Sequence, residues 1–555
     1  MQDFEITTLD LAVVGIYLVL SRVIPLWLTR GKQGDTDGFF LGGRNFTWPL
    51  IGFSLFATNM SGASFVGMAG AGYTNGIAVF SYEWMAAIIL VVFIFFLLPF
   101  YLRSGVFTMP EFLERRYDSR LRYAFAGMLI FLSIFLDCAG ALYAGGLVVQ
   151  LLFPTIPLWW GVLGLALLAG IMSVFGGLGA VVLSDTIQAV VLITGGFIVF
   201  FVGLSAIPSW EAMEAAAPEN ALSIIRPLDD PTLPWPGLFG VLIIGMYFWT
   251  TNQLIVQRTL GAKTIDHGRW GSMFAGLLKL PPLFIMVMPG VMAIVLYPDL
   301  ETPDLAFPTI AFDLLPVGVR GIILAALVAA ITSTVDSILN SASTMVTMDF
   351  VKPLRPQTTD RALVRIGQLT TATVMLIAIV WAPQIVNFPS LWSYFQSILA
   401  YATPPIVVIF LVGIFWRQAT PDAAFATFVG GIGLGICGFV ANEILGLTEL
   451  HFLYAATLLL FVALAIMIGV SLVTERADEM PDAGASALTD EEREVRDPDT
   501  GEFVDAKPTD SDLIWTPALW HAETRDLAGV PAWQNYRYQA IALLVATAIL
   551  IGIFW

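Results

Sequence analysis

Apolar residues along this chain run in long uncharged blocks separated by short polar segments. About 20 such residues, wound as a helix, cross a hydrocarbon layer of about 30 Å. Membrane strands would instead alternate polar and apolar positions over roughly ten residues, and the blocks do not alternate in that way. They predict fourteen helical spans, near 9–29, 48–72, 79–101, 122–152, 157–175, 181–206, 236–257, 270–297, 315–347, 364–385, 389–415, 421–442, 450–473 and 538–555. Fourteen is even, so both termini fall on the same side of the membrane.

Loop charge decides which side, because cytoplasmic loops are enriched in Lys and Arg. The stretches 30–44, 103–122, 258–269 and 352–365, with Arg417, hold sixteen such residues on one side. The other side holds Arg226, with Arg320 at a helix start. Both termini are therefore expected outside, in a multi-pass protein of a plasma membrane, here a bacterial inner membrane. The segment Thr474–Arg537 is then a cytoplasmic loop with 16 acids and 6 bases. Its first half reads as a solvated linker. Trp515, Trp520 and Trp533 in its second half are expected to rest on the membrane surface or the helix bundle.

Composition narrows the class. Only 12% of the 555 residues are charged, about half the share in a soluble domain, so the length reads as one all-α membrane domain. The first apolar block follows Asp3 and Glu5 without a basic n-region and reads as a retained helix, not a signal peptide. The net charge of −17 argues against nucleic acid, which needs basic faces. Cys138 and Cys437 lie inside spans as small apolar residues and imply neither a disulfide nor a metal. His267, His451 and His521 form no ligand pair, and Gly433–Gly438, which matches a dinucleotide fingerprint, lies in an apolar span with no strand before it. No nucleophile–base or metal constellation supports an enzyme.

Two spans are interrupted by polar and small residues at mid-membrane depth: Ala57–Ser64 in the second and Trp249–Gln253 in the seventh. Unwound backbone persists in a bilayer only where it lines a site; the alternative is ordinary helix packing by small residues. Paired breaks five spans apart point to inverted repeats with a site near the midplane. This is the LeuT-type architecture of two five-helix repeats. The expected units are an extra helix and loop (1–47), the repeats (48–206 and 236–415), peripheral helices (421–473), the acidic loop (474–537) and a last helix (538–555).

Ionisable residues inside spans are costly and point to function. Lys279 sits about nine residues into its span, near mid-membrane, and needs an anionic partner, for which Glu83 is the candidate. Asn59 and Gln396 each donate and accept. Together the four make a pocket suited to a polyhydroxyl solute, with Phe248 and Trp249 as flat faces for a sugar ring. A second polar cluster, Thr332–Thr344, includes Ser333, Thr334 and Asp336. Hydroxyls there, with carbonyls near Ala57 and Met60, suit sodium, a hard cation that takes oxygen ligands. Asp185 either pairs with Asp336 across a cation, or one of the two is protonated.

Several stretches match a known family: Phe39–Arg44, Leu55–Asn59, Thr108–Phe112, Gly176–Leu178 with Ser184–Thr186, Trp249–Arg258, Asn340–Thr344, and Pro404–Pro405 before Phe415–Trp416. On these the chain resembles the sodium:solute symporters, within them the sodium/glucose cotransporter branch, over about residues 38–420. The resemblance implies sugar contacts at Asn59, Glu83, Trp249, Lys279 and Gln396. It implies a first sodium site from carbonyls of Ala57, Met60 and Ala330 and hydroxyls of Ser333 and Thr334. A second site, found in some members, would use Asp185, Ser333, Asp336 and Ser337. Phe248 stands where a tyrosine usually gates the sugar, Ser64 where histidine or glutamine sits, and Gly245 where a polar contact is often found.

The expected function is sodium-coupled uptake of a hexose or related polyol by alternating access. Two sodium ions per sugar are expected, since a single ion would leave a buried carboxylate uncompensated. The rivals are another cargo on the same fold (an amino acid, sialic acid or a carboxylate) and a membrane sensor. Glu83 beside Lys279 disfavours a net anion, and the acidic loop is short for a signalling domain.

Overall fold

The computed structural model describes residues 6–31, 34–230, 232–300, 302–387, 391–474, 494–496, 503–505, 514–515, 527 and 530–555. Asp3, Glu5, Lys32, Trp520, His521 and most of the acidic loop lie outside the described residues. The rest is overwhelmingly helical. Among the described residues, ten helices are long and apolar enough to cross a membrane, or up to twelve if each of two bent pairs counts as one span.

The first described helix opens on a capping box. The Thr7 side chain accepts from Asp10 N and Asp10 answers on Thr7 N, which satisfies orphan donors at the start of Thr8–Thr29. Both predicted interruptions are real breaks. The helix Trp48–Asn59 stops at Met60, and Ser61 caps the next helix, Gly62–Asn75, by accepting from Ser64 N at 3.0 Å. In the second break Leu238–Thr250 ends at Thr251, and Asn252 caps Gln253–Leu260 by accepting from Leu254 N at 2.9 Å. The axis bends there by 46°. In each case a short polar side chain supplies the cap that water cannot supply in a bilayer.

Two predicted spans are not continuous, and a third boundary falls at a glycine. The span expected at 389–415 is a pair, bent by 45° at Thr403, because Pro404 and Pro405 cannot continue the preceding ladder. The span expected at 270–297 breaks after Leu278, just before Pro281 and Pro282, leaving Lys279 as the helix cap. The separation expected between 157–175 and 181–206 is present: the helical stretch Leu158–Ala206 is broken at Gly177, with φ +57° and ψ −170°. A Cβ at Gly177 would lie 2.6 Å from Phe39 O, so both the backbone angle and the close approach require glycine.

The centre of the molecule is Val319–Met345, in whose span 94% of the most apolar window is buried. It packs most extensively against Leu158–Ala206. By contrast, only 22% of the window is buried for Thr8–Thr29, and 28% for both Phe452–Val473 and Tyr536–Ile553, so these helices turn most of their surface outward.

The acidic loop is more than linker. Glu494–Arg496 and Phe503–Asp505 pair as short antiparallel strands with Val495 opposite Val504, an arrangement that β-branched residues favour. Trp515 N donates to Ile414 O at 3.0 Å, and its ring packs on Phe96 and Phe415, which ties that stretch to the bundle. Trp533 is exposed.

Candidate solute and cation sites

Lys279 is fully buried. Its ammonium donates to Glu83 Oε2 at 2.5 Å and to Asn59 Oδ1, and lies 5.1 Å from the Trp249 ring centroid. Three elements converge: Asn59 at the first helix break, Glu83 in the first turn of Ser81–Phe96, and Lys279 at the helix end forced by the two prolines. Glu83 also has the favourable end of its helix dipole. A buried charge is tolerable only when paired and hydrogen-bonded, and this pair meets that condition.

Asn59, Glu83 and Trp249 border a cavity whose empty volume is about 940 Å³, part of it open solvent. Asn59, Ser64, Glu83, Phe248, Trp249 and Gln396 line it. Lys279 stands behind Glu83 and Asn59 and is not itself part of the lining. Phe248 and Trp249 meet edge to face, with centroids 5.5 Å apart. The Ser64 hydroxyl contacts Ser61 Oγ at 3.0 Å and donates to Asn59 O at 3.3 Å, so it ties the break together. Gln396 Oε1 is buried with no hydrogen-bond partner among the described residues. Asp137 lines the cavity as well and was missed, although the reasoning that found Glu83, an acid inside a span, applied to it equally.

Of the predicted cation residues, Ser333 contacts Asp185, which is fully buried. Its carboxylate accepts from Ser54 Oγ at 2.6 Å, Ser333 Oγ at 2.9 Å and Thr58 Oγ1 at 3.3 Å. Thr58 Oγ1 lies 3.1 Å from Ser337 Oγ. Thr334 Oγ1 lies 3.1 Å from both Thr58 O and Ala330 O, joining the break to the central helix. Ala57, Met60 and Ala330 are all fully buried at this junction. Termination at Asn59 leaves the last carbonyls of that helix outside the helical ladder. The set is oxygen throughout, the chemistry a hard cation takes.

Asp336 departs from expectation. The family resemblance implied it with Asp185, Ser333 and Ser337 around one ion, but its Oδ2 is ion-paired with Arg22 Nη1 at 2.7 Å. The reason is helical geometry: Asp336 is turned about 100° from Ser337, toward the helix Thr8–Thr29. Asp185 also has a cation, Arg258, at 4.0 Å. Arg258 counted as a loop charge in the sequence, yet it is fully buried. The reasoning from sequence thus missed Ser54, Thr58, Arg22 and Arg258. Ser54 precedes Thr58 by one helical turn, Thr58 stands inside the polar run Ala57–Ser64, and Arg22 lies inside a predicted span, so each left a signal.

The sodium:solute symporter family profile matches residues 39–431. The chain is 31% identical to a sodium/glucose cotransporter 4 of Danio rerio, covering 96% of this chain and 87% of that one. It is 35% identical to a sodium/glucose cotransporter of Vibrio parahaemolyticus, covering 78% and 85%. It is 33% identical to a sodium/myo-inositol cotransporter 2 of Mus musculus, covering 84% and 77%. Among solved structures, a Na⁺-coupled sialic acid symporter superposes with a TM-score of 0.75 at 21% identity, over 86% of this chain and all of that one. Mhp1, a nucleobase-cation-symport-1 family transporter, superposes with a TM-score of 0.55 at 15% identity, covering 82% and 98%. These neighbours have the LeuT-type fold. The chain belongs to the sodium:solute symporter family, whose members are transporters and not enzymes.

Proposed function

We propose that this symporter carries a hexose or related polyol, taken up with sodium by alternating access. The observation that carries this reading is the Lys279–Glu83 pair beside a cavity walled by Phe248 and Trp249. A sugar hydroxyl both donates and accepts. Glu83 accepts, and Asn59 and Gln396 do both, while Lys279 behind them donates to Glu83 and Asn59 and holds both in place. The pair is neutral as a unit, which suits an uncharged polyol better than a carboxylate. Relatives at 31–35% identity are named for glucose and myo-inositol.

Sodium is proposed to sit at the first break, on carbonyls of Ala57, Met60 and Ala330 and hydroxyls of Ser333 and Thr334. One ion moving down about 100 mV and a tenfold gradient releases about 3.7 kcal/mol, enough for roughly 500-fold accumulation. The second ion expected at Asp185, Ser333, Asp336 and Ser337 loses its electrostatic reason, because Arg22 already compensates Asp336. The architecture proposed is fourteen spans, with five-helix inverted repeats at 48–206 and 236–415. Both termini would lie outside a plasma membrane, here a bacterial inner membrane.

Calorimetric titration of the purified protein with glucose, galactose, myo-inositol and sialic acid, in sodium and in choline buffer, tests the cargo. Sodium-dependent binding of a neutral sugar or polyol supports the reading. Binding of sialic acid alone would replace it.

A further inference from the structure

Asp336, expected as a sodium ligand, is instead ion-paired with Arg22. The residue is fully buried, and Arg22, which pairs with its Oδ2 at 2.7 Å, is nearly so. The same Nη1 reaches Ser184 Oγ at 3.3 Å, one residue before Asp185, and Ser184 in turn donates to Ser21 O at 3.0 Å. The guanidinium thus bridges Leu158–Ala206 and Val319–Met345 beside the Asp185 cluster.

Its helix is fixed at a second height. Asp10 Oδ1 accepts from Gly318 N at 2.7 Å and from Gly321 N at 3.0 Å, at the start of the central helix. Arg22 lies about 18 Å further along Thr8–Thr29. The two helices therefore run parallel, strapped together twice, so the guanidinium is positioned by packing and not by a loose loop.

The surrounding groups are those a second cation would use. Asp336 brings a carboxylate, as does Asp185, from which Arg258 stands back at 4.0 Å; Ser333 sits one turn before Asp336 on the same helix and donates to Asp185, and Ser337 contacts Thr58. Asp336 Oδ1 is buried with no hydrogen-bond partner among the described residues. A guanidinium does not give up its proton in a protein, so a sodium ion arriving here meets a like charge already seated on the carboxylate. The tether also keeps that charge in place at any sodium concentration.

We propose that Arg22 is a tethered counter-ion that holds the second cation position and fixes coupling at one sodium per solute. The proposal rests on the sodium-coupled reading above. Without Arg22, the oxygens of Asp336, Asp185, Ser333 and Ser337 form a second sodium site.

Equilibrium binding of ²²Na⁺ to the full purified chain, without sugar, counts the ions directly. Wild type is expected to bind one ion per chain, Arg22→Ala two, and Arg22→Ala/Asp336→Ala one again. Arg22→Lys keeps the charge and is expected to bind one. Two ions on wild type overturn the proposal, whether or not Arg22→Ala folds. A monodisperse Arg22→Ala that binds one ion overturns it as well. No sodium on wild type overturns the sodium-coupled reading itself, and this proposal with it.

Discussion

Lys279 donates to Glu83 across 2.5 Å beside an aromatic-walled cavity, and neither residue is more than 5% exposed. A pair so sheltered from water either holds the bundle together or waits for a solute that exchanges hydrogen bonds with it. The two roles separate experimentally. Removing one partner of a buried pair costs about 3–5 kcal/mol, whereas replacing both is often near neutral. Lys279→Ala is expected to abolish uptake. Lys279→Met/Glu83→Gln is expected to recover thermal stability in detergent while remaining inactive. A double variant that transports at the wild-type rate would make the pair purely structural.

Gln396 offers a cleaner measure of solute contact. Its Oε1 has no hydrogen-bond partner among the described residues, so truncation removes little from the resting fold. Gln396→Ala is expected to weaken sugar binding by about 1–3 kcal/mol with an unchanged melting temperature. Titration calorimetry beside a melting curve checks both halves, and an unchanged Kd would move the solute elsewhere.

The sequence made some of this legible, and the reasons differ from residue to residue. Both helix breaks could be read because polar and small residues stand where a bilayer helix should be apolar, and the structure caps them with Ser61 and Asn252. Lys279 and Glu83 were visible because a charge at mid-span needs a partner. Arg258 was not, because a cation near a span end looks like a loop residue until the helix is seen to pass inside the bundle. The Arg22–Asp336 pair joins residues 314 positions apart, and no local pattern announces such a contact. The bend at Thr403 was within reach, since Pro404–Pro405 stood in plain view.

Gly177 tests the packing of the long helical run. Its φ of +57° with ψ −170° is accessible essentially to glycine alone, and an added Cβ would press on Phe39 O. Gly177→Ala is expected to cost about 1–3 kcal/mol from backbone strain, read as a lower melting temperature. A melting temperature equal to wild type would show that the segment rearranges without cost.

Asp304 lies between membrane spans, and burial raises its carboxyl from 3.8 to about 6. The folded state therefore holds this proton more tightly than the unfolded chain does. Its contribution is most favourable below about pH 4 and is lost as pH rises through about 6. Asp304→Asn is expected to raise the melting temperature at pH 7.5 and to leave it unchanged near pH 4. Equal effects at both pH values would remove burial of the charge as the cause.

Sodium is proposed to drive a neutral polyol inward through this chain. The most direct measurement is accumulation of labelled glucose or myo-inositol in proteoliposomes under an inward sodium gradient. The expected result is a transient internal concentration above the external one, abolished when potassium or choline replaces sodium or when an ionophore collapses the gradient. Uptake that only equilibrates, or that proceeds equally without sodium, would contradict the account.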